Sequence, residues 1–354
     1  MNILIRNKKI GNGEPSYIIA EMAWSHDGEL QKAKNIVKGA IDAKADAICF
    51  HLTSVEDYMV PDYQVLESGA SAAVGKKPLY EFLKEKNLNP NEWKILFEQA
   101  KAEDLHILVM PNDEPSFDLA QKLDADGYVI APAVMAEAEF LKKIAKSKKP
   151  LFLRIGGATL QEIEKIINLA KKTGNTNISI IHGFQSFPTP LEEMNISLLD
   201  YLKKRLEVPV GFTDHTNGES EIALMIPMVA IGAGADLIEK HITHDRSLKG
   251  IDFESALDPE NFSKMVENIR NAEKALGSPQ WRDLSKKEMK YREVARKHLV
   301  ANRDMKKEER ISREDIAFKR ANGGLYSEQI DSIIGRKIKK DLVKNDEIYE
   351  DMVE

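Results

Sequence analysis

Two histidines near the ends of predicted strands could together bind a metal ion. His215 follows the apolar segment 209–214, and His241 lies within the apolar segment 237–242. Two neutral imidazoles with a carboxylate such as Glu21 would suit Mn, Fe, Co or Zn and leave coordination positions open for water and substrate. The same histidines could instead cap helices or pack in a core, because one histidine at a strand end is a weak signal. The pattern permits metal-assisted chemistry without requiring it.

Other polar residues close to predicted strand ends are candidates for substrate binding. Arg154 could hold a phosphate or carboxylate through two parallel hydrogen bonds, or it could pair with an acidic residue of the protein itself. The remaining candidates are His26, Asp27, His51, His182, Gln185 and Asp214. The sequence has no P-loop, GxGxxG or GxSxG motif, so it does not favour a nucleotide cofactor or a serine hydrolase.

Eight short apolar segments alternate with longer amphipathic segments and predict the elements that position these residues. The predicted strands are YIIAEMA (17–23), AICFHL (47–52), HILVMP (106–111), GYVIAP (127–132), LFLRIG (151–156), ISIIHG (178–183), PVGFTD (209–214) and LIEKHI (237–242). Eight βα units within the first 280 residues predict a (β/α)8 TIM barrel rather than an open doubly wound sheet. Active sites of such barrels lie at the carboxyl ends of the strands, so the candidate residues should converge on one mouth.

The segments between the strands carry apolar residues at helical spacing. The clearest predicted helices cover residues 29–45, 91–104, 158–174 and 217–235. Thr159 followed by Glu162 predicts a capping box at a helix start, and Gly174 after two lysines predicts a helix end. The loop 53–90 is too long for an ordinary connection and includes the small-residue run GASAAVGKKP, so it is a candidate lid or a disordered insertion.

The 354-residue chain is longer than one ordinary domain and has the composition of a globular protein, with 42% hydrophobic and 31% charged residues. We predict a barrel domain over residues 1–280, a charged linker helix over 281–297 and a small β-rich domain over 298–354. A domain of that last size seldom forms a confident core alone. We therefore expect it to dock on its own barrel or on a partner's.

Charge and cysteine content exclude several functional classes. The formal net charge of −6 disfavours binding to nucleic acid through phosphate neutralisation, so a small-molecule substrate is expected. Cys49 is the only cysteine, which rules out an intramolecular disulfide and fits a reducing cytoplasm. We find neither a signal peptide pattern nor an apolar run long enough to span a membrane.

At these residues the sequence resembles the sialic acid synthase family, which includes the legionaminic and pseudaminic acid synthases. The strongest match is residues 211–277, with GFTDHTNG, DLIEKHITHDRSLKGIDFESALDPENF and a closing ALG. IAEMAWSHDG (19–28) and HGFQSFPTPLEEMNI (182–196) are similar to the family's first-strand and sixth-strand motifs. The tail from about residue 297, with KRANGG and IIGRKIKKDL, resembles the family's antifreeze-like (SAF) domain.

The resemblance implies condensation of phosphoenolpyruvate with an N-acetylated amino sugar, giving a nonulosonic acid and phosphate. It also implies a divalent ion on His215 and His241, with Mn²⁺ expected and Mg²⁺ or Co²⁺ as alternatives. Glu21 then assists proton transfer, and Phe187 joins the substrate-binding candidates as part of the sixth-strand motif. Arg320 matches the SAF-domain arginine that reaches the partner's sugar site, which implies a domain-swapped homodimer.

The chain departs from the family at the phosphoenolpyruvate site. His51 and Val129 stand where the family has lysines at the ends of strands 2 and 4. Where the family has small hydroxyl residues at other donor contacts, this chain has Met110, Pro132, Arg154, Phe184, Gln185 and Thr213, and SHDG stands in place of NHNG at 25–28. A leaving phosphate needs fixed positive charge, which Arg154 and a protonated His51 could partly restore.

Three hypotheses follow from the sequence. The first is condensation of phosphoenolpyruvate with an amino sugar in the biosynthesis of a surface sugar acid. The second is a different metal-dependent carbonyl reaction in the same barrel, such as aldol addition, retro-aldol cleavage or isomerisation. The third is a sugar-binding homologue without activity, against which the joint presence of Glu21, His215 and His241 argues.

Overall fold

The computed structural model describes residues 2–63, 78–278 and 280–354. The chain separates into two compact units, Met1–Gly277 and Ser278–Glu354. The division falls after Gly277, close to the end of the last helix of the first unit. Of the predicted lid, residues 64–77, which contain most of GASAAVGKKP, lie outside the described part of the chain.

The first unit contains a closed barrel of eight parallel strands. The strands are β3 (Tyr17–Ala23), β4 (Ala47–Leu52), β5 (His106–Pro111), β6 (Gly127–Ile130), β7 (Leu151–Arg154), β8 (Ile178–His182), β9 (Val210–Asp214) and β10 (Leu237–His241). β10 pairs with both β9 and β3, which closes the barrel. The predicted TIM barrel is therefore confirmed.

Residues of alternating strand positions form two separate apolar layers. On β3, β8, β9 and β10 the even-numbered residues, such as Ile18, Phe212 and Ile238, belong to the cluster that packs against the helices, and odd-numbered residues such as Ile19 and Leu237 belong to the cluster inside the barrel. On β5 and β7 the order is reversed, so that Leu108 and Phe152 face the barrel interior. This two-residue period decides which side chains of a strand can reach the mouth.

Helices follow the barrel strands and cover them on the outside. They are α1 (Leu30–Asp42), α2 (Val55–Tyr58), α3 (Leu79–Lys86), α4 (Pro90–Ala102), α5 (Glu114–Lys122), α6 (Pro132–Met135), α7 (Ala138–Ala145), α8 (Leu160–Lys172), α9 (Leu198–Leu206), α10 (Ile226–Gly232) and α11 (Pro259–Leu276). The predicted capping box at α8 is present, with Thr159 and Glu162 bonding each other's backbone N–H. Gly174 has a φ of 78° after α8, a left-handed conformation that suits glycine.

Two parts of the first unit differ from the sequence prediction. A hairpin of β1 (Asn2–Ile5) and β2 (Lys8–Gly11) precedes the barrel, and its buried isoleucines pack with the barrel interior. The predicted helix 217–235 is instead a 3₁₀ turn, Glu221–Leu224, followed by the shorter α10. Pro227 explains the interruption, because proline lacks the N–H that a continuous helix would use there.

The second unit is a small domain with its own core. It begins with α12 (Lys286–Ala295), and β11 (His298–Ala301) pairs antiparallel with β12 (Ile316–Lys319). Short bridges and 3₁₀ turns complete the unit around a buried apolar cluster. The cluster comprises Leu299, Ala301, Met305, Ile311, Ile316, Leu325, Ile333, Ile338, Leu342, Ile348 and Val353.

Candidate functional site

The mouth of the barrel contains an arginine that is shared between two carboxyl groups. Arg154 at the end of β7 donates from Nη2 to Glu21 of β3, and the same atom lies 2.9 Å from Glu239 Oε1 of β10. Both glutamate side chains are fully buried, and Arg154 is nearly so. His51 of β4 also contacts Glu21, with Nε2 3.0 Å from Oε1. The sequence allowed Arg154 to bind a substrate anion or pair with an acidic residue, and the second arrangement is found.

The surroundings shift the pKa values of the two glutamates in opposite directions. Burial raises the pKa of Glu21, but the opposing influence of Arg154 and His51 outweighs burial and holds it well below its usual range. For Glu239, burial dominates and raises the pKa, because Arg154 only partly offsets it. Glu21 is therefore the ionised carboxylate of the site at neutral pH.

The two predicted metal-binding histidines lie side by side. The ring centroids of His215 and His241 are 5.3 Å apart, and Phe187 packs against both rings, at 4.4 Å from His215 and 5.9 Å from His241. His215 donates from Nδ1 to the carbonyl oxygen of Phe184 at 2.9 Å, which leaves Nε2 as the nitrogen with a lone pair. Burial lowers the pKa of His215 to about 4 and that of His241 well below its usual value, so both rings are neutral at pH 7.

The histidine pair fits a divalent transition-metal ion. Both ring nitrogens of buried His241 lack a hydrogen-bond partner among the described residues, and an unpartnered buried imidazole is unusual. A neutral imidazole nitrogen is the form that binds such ions. Within the described ranges no three His, Cys, Asp or Glu side chains gather as a ligand group. Glu21, considered above as a third ligand, is held by Arg154 and His51 instead.

A cavity of about 680 Å³ opens above these residues. His51, Arg154, Gln185, Phe187 and His241 line it, as do residues from both described ends of the segment 53–90. The latter are Tyr58, Met59, Val60, Tyr63, Leu79 and Leu83. The predicted lid segment thus contributes walls to the cavity.

Two other candidates near the first strand stabilise the loops around the cavity instead of lining it. His26 is buried against the edge of Trp93 and accepts a hydrogen bond from the Gly28 N–H. Asp27 accepts hydrogen bonds from the Ile251 N–H at 3.1 Å and from Lys32 at 3.2 Å. Their positions indicate that they shape the loops beside the mouth.

His182 and Asp214 face away from the barrel interior. His182 donates from Nε2 to the carbonyl oxygen of Met194 at 3.0 Å and packs against Phe212, in the outer layer. Asp214 is fully buried 2.9 Å from Lys240 and accepts a hydrogen bond from the Thr216 N–H. On β8 and β9 the even-numbered side chains point outward, which explains why neither residue lines the cavity.

The strand-end rule did not select Asp252 and Trp24, which also line the cavity. Burial raises the pKa of Asp252 to about 6. The sequence signal that could have identified Asp252 is its position between Ile251 and Phe253. An acidic residue between two large apolar residues is either exposed or buried for a function. Arg320, the candidate in the second unit, is exposed.

Comparison with known protein families assigns both the barrel and the second domain to a class of protein. Residues 36–280 match the NeuB family and residues 296–354 match the SAF domain. The chain belongs to the NeuB family, and the resemblance recognised in its motifs is confirmed.

Particular relatives match nearly the full length of the chain. A pseudaminic acid synthase of Campylobacter jejuni is 33% identical over 94% of this chain and 95% of the relative. An N,N'-diacetyllegionaminic acid synthase of Legionella pneumophila is 30% identical over 95% and 94%. The crystal structure of an N-acetylneuraminic acid synthetase of Leptospira borgpetersenii has a TM-score of 0.72 at 28% identity, covering 83% of this chain and 97% of that one.

Proposed function

We propose that the protein is a metal-dependent synthase that forms a carbon–carbon bond at the aldehyde carbon of an N-acetylated amino sugar. The product is a nonulosonic, sialic-acid-like acid for a surface polysaccharide or glycan. The observation that carries this proposal is the convergence of Glu21, His215 and His241 on one barrel mouth, an ionised carboxylate beside two neutral imidazoles. A sugar-binding protein without activity has no physical need for that arrangement.

Each residue of the mouth has a distinct part in the proposed reaction. His215 and His241 hold a divalent ion, with Mn²⁺ as the expected metal and Mg²⁺ or Co²⁺ as alternatives, and the ion would polarise the carbonyl oxygen of the acceptor. Glu21 accepts a proton, and Arg154 with His51 keeps it ionised by opposing the effect of burial. Phe187 fixes the orientation of both imidazoles by packing against them.

Family membership makes phosphoenolpyruvate the first donor to test. A second candidate, a carbonyl reaction without phosphate, is favoured by the pairing of Arg154 with Glu21 and Glu239, which uses the positive charge that a phosphate would need. The two candidates share the barrel, the acceptor and the ion. They differ in whether phosphate is released.

We also propose a domain-swapped homodimer in which Arg320 of one subunit completes the sugar site of the other. No residue of α12 is buried, and Tyr291 and Val294 are 71% and 64% exposed, so this helix has an apolar surface available to a partner. No helix in the described part of the chain is long and apolar enough to span a membrane. The buried thiol of Cys49 suits a reducing compartment, and we expect the enzyme to work in the cytoplasm.

The test is product formation with Mn²⁺ and a panel of N-acetylated and N,N-diacetylated hexoses, offered with phosphoenolpyruvate and, separately, with pyruvate. Mass spectrometry would detect the condensed sugar acid, and calorimetry would measure Mn²⁺ binding. His241→Ala should abolish both, because one of the two imidazoles is lost. His244→Ala is the matched control, since His244 is three residues away and outside the cavity lining. Sugar binding without any product under all conditions would reject the synthase assignment in favour of a binding protein.

A further inference from the structure

Glu21 is held too firmly to reach a substrate by itself. Its Oε1 accepts a hydrogen bond from the Ala23 N–H at 2.8 Å, and its Oε2 accepts one from Arg154. The side chain is fully buried, and it is not among the described residues that line the cavity. A carboxylate fixed by donors on both oxygens cannot swing towards a bound molecule. The proton transfer proposed for Glu21 therefore needs a second group that reaches the cavity.

His51 connects the buried carboxylate to the cavity. Its Nε2 lies 3.0 Å from Glu21 Oε1, and its side chain is 13% exposed, whereas that of Glu21 is not exposed at all. The imidazole lines the same cavity as His241, one of the two predicted metal ligands. Arg154 also contacts Glu21 and lines the cavity, but a guanidinium does not give up its proton in proteins. His51 can exchange a proton where Arg154 cannot.

The alternation of β4 explains why His51 faces the cavity. Ala47 and Cys49 of this strand belong to the cluster inside the barrel, whereas Phe50 belongs to the cluster that packs against the helices. His51 is two positions beyond Cys49, so it points to the same side, and it lies near the carboxyl end of the strand. This is the position from which a side chain of a barrel strand reaches the mouth.

The carboxylate beside Nε2 decides which ring nitrogen of His51 exchanges a proton. An ionised carboxylate can only accept, so Nε2 carries a proton towards Glu21. The geometry of this contact falls short of a full hydrogen bond, which is common in catalytic pairs before a substrate binds. Nδ1 makes no hydrogen bond within the described ranges. A carboxylate placed in this way orients the imidazole and stabilises the positive charge that the ring gains at Nδ1.

We infer that His51 is the catalytic residue that takes a proton from one substrate and gives it to the other, and that Glu21 and Arg154 are positioning residues that act through it. The inference rests on the proposed synthase function and deepens it by naming the group that touches the reacting atoms. The proton acceptance assigned to Glu21 then takes place at His51, one contact away. The inference holds for either candidate donor, because both reactions need the same proton transfers.

Both reactions release one proton on the donor side and take up one on the acceptor side. With phosphoenolpyruvate, the proton comes from the water that adds to the donor, and the other proton of that water leaves with the phosphate. In the reaction without phosphate, it comes from the donor carbon that forms the new bond. His51 Nδ1 takes this proton, and the carbonyl π bond of the acceptor breaks as the carbon–carbon bond forms. The resulting alkoxide takes the proton from His51, so the ring is restored and no oxidant is needed.

The first experiment measures kcat, the KM for the sugar and the Kd for Mn²⁺ in His51 variants. We expect kcat to fall at least about 100-fold in His51→Gln, within the range for loss of a general acid–base group. The Kd for Mn²⁺ should not change, and the KM should change little. His244→Gln is the matched control, because His244 is outside the cavity lining, and it should keep the wild-type kcat.

Chemical rescue separates the role of His51 from that of Glu21. Imidazole added to the buffer should restore part of the turnover of His51→Ala, because this variant leaves space for a free ring beside an intact carboxylate. It should restore none in Glu21→Gln, where the ring is present but the charge that orients it is lost. Wild-type turnover at the same imidazole concentration corrects for binding of Mn²⁺ by imidazole.

A second experiment does not depend on turnover. ¹⁵N NMR of the metal-free, histidine-labelled protein would detect the Nε2–H of His51, assigned by its loss in His51→Gln. We expect a proton on Nε2 and a shift of its resonance in Glu21→Gln, since the neighbouring carboxylate is then lost. The Nε2–H of His182 is an internal reference, because it donates to the Met194 carbonyl oxygen in the outer layer.

The outcomes separate this inference from the proposed function. Absence of product from the wild-type protein with every sugar and donor would reject the proposed function, and with it the part of His51 in that reaction. Wild-type turnover that persists in His51→Gln would overturn the inference alone and leave the synthase assignment intact. A loss of Mn²⁺ affinity in His51→Gln would also overturn it, because His51 would then be a metal ligand. A His51 ring without a proton on Nε2 would overturn it whether or not the protein turns over.

Discussion

Glu239 and Lys240 are adjacent on β10 and both are fully buried, yet they serve different layers of the molecule. Glu239 points into the barrel, where Arg154 is shared between it and Glu21 beneath the cavity. Lys240 points outward, where it lies 2.9 Å from Asp214 and donates to the Thr216 carbonyl oxygen. The outer pair is closed to substrate, whereas the inner cluster borders a cavity.

The difference shows how one strand can carry both reactive and structural charges. Asp214 of β9 and Lys240 of β10 lie opposite each other in the strand register. His215 directly follows Asp214, and His241 directly follows Lys240. We interpret the ion pair of Asp214 and Lys240 as a contact that holds β9 and β10 together and so fixes the positions of the two imidazoles. Within the described part of the chain, the inner cluster keeps polar atoms without a hydrogen-bond partner, including both nitrogens of His241, as a site prepared for a ligand would.

The largest expected effect is on stability, from breaking the outer pair. Lys240→Met should lower the free energy of unfolding by about 3–5 kcal/mol, because it leaves the buried carboxylate of Asp214 without its partner. Urea denaturation would measure the loss. The double variant Lys240→Met with Asp214→Asn should recover part of it.

Glu239→Gln is the matched control on the inner face. It should change stability far less while lowering turnover, since the amide keeps the volume of the side chain but alters the charge beside Arg154. Equal stability losses for Lys240→Met and Glu239→Gln would contradict the separation of the two layers.

A smaller effect is expected from the pH dependence of the inner histidines. Burial lowers the pKa of His215 to about 4, whereas the unfolded chain titrates near 6.5. Below pH 6.5 the unfolded state therefore binds a proton that the folded state does not, and stability falls as pH falls towards 4. Between pH 6.5 and 5 the metal-free protein should lose about 1.6 kcal/mol relative to His215→Gln.

Unfolding curves at both pH values, with EDTA present, would measure this difference. The variant removes the titrating ring, so contributions of other groups cancel in the comparison. An identical pH dependence in both proteins would mean that His215 is accessible to protons when folded.

The smallest effect is expected at Arg320 in the second domain, and it tests whether the site extends beyond the barrel mouth. If the second domain completes the sugar site of a partner, Arg320→Ala should raise the KM for the sugar about tenfold, equivalent to about 1.4 kcal/mol, with Mn²⁺ affinity unchanged. Arg310→Ala is a control, because Arg310 bonds the Gly335 carbonyl oxygen within its own domain. Unchanged turnover in Arg320→Ala would show that the barrel mouth is sufficient by itself.

The candidate site shows where reasoning from sequence succeeded and where it stopped. His51, Arg154, Gln185, Phe187 and His241 were nominated from strand ends or motifs and do line one cavity. Asp214 was nominated by the same rule, although it stands between Thr213 and His215 and must face the other way. Alternation along β9 already contained that information, because successive side chains of a strand point to opposite faces.

The sequence by itself determined the barrel, since eight apolar segments separated by amphipathic ones have few other ways to bury their surfaces. It also located the residues of the mouth, because parallel strands of a closed barrel end at one rim. The pairing of Arg154 with Glu21 and Glu239 was decided only by the tertiary structure. These three residues lie far apart in the chain, and only barrel closure brings their charges within contact distance. Whether an arginine binds a substrate anion or neutralises its neighbours depends on such distances, which sequence spacing does not contain.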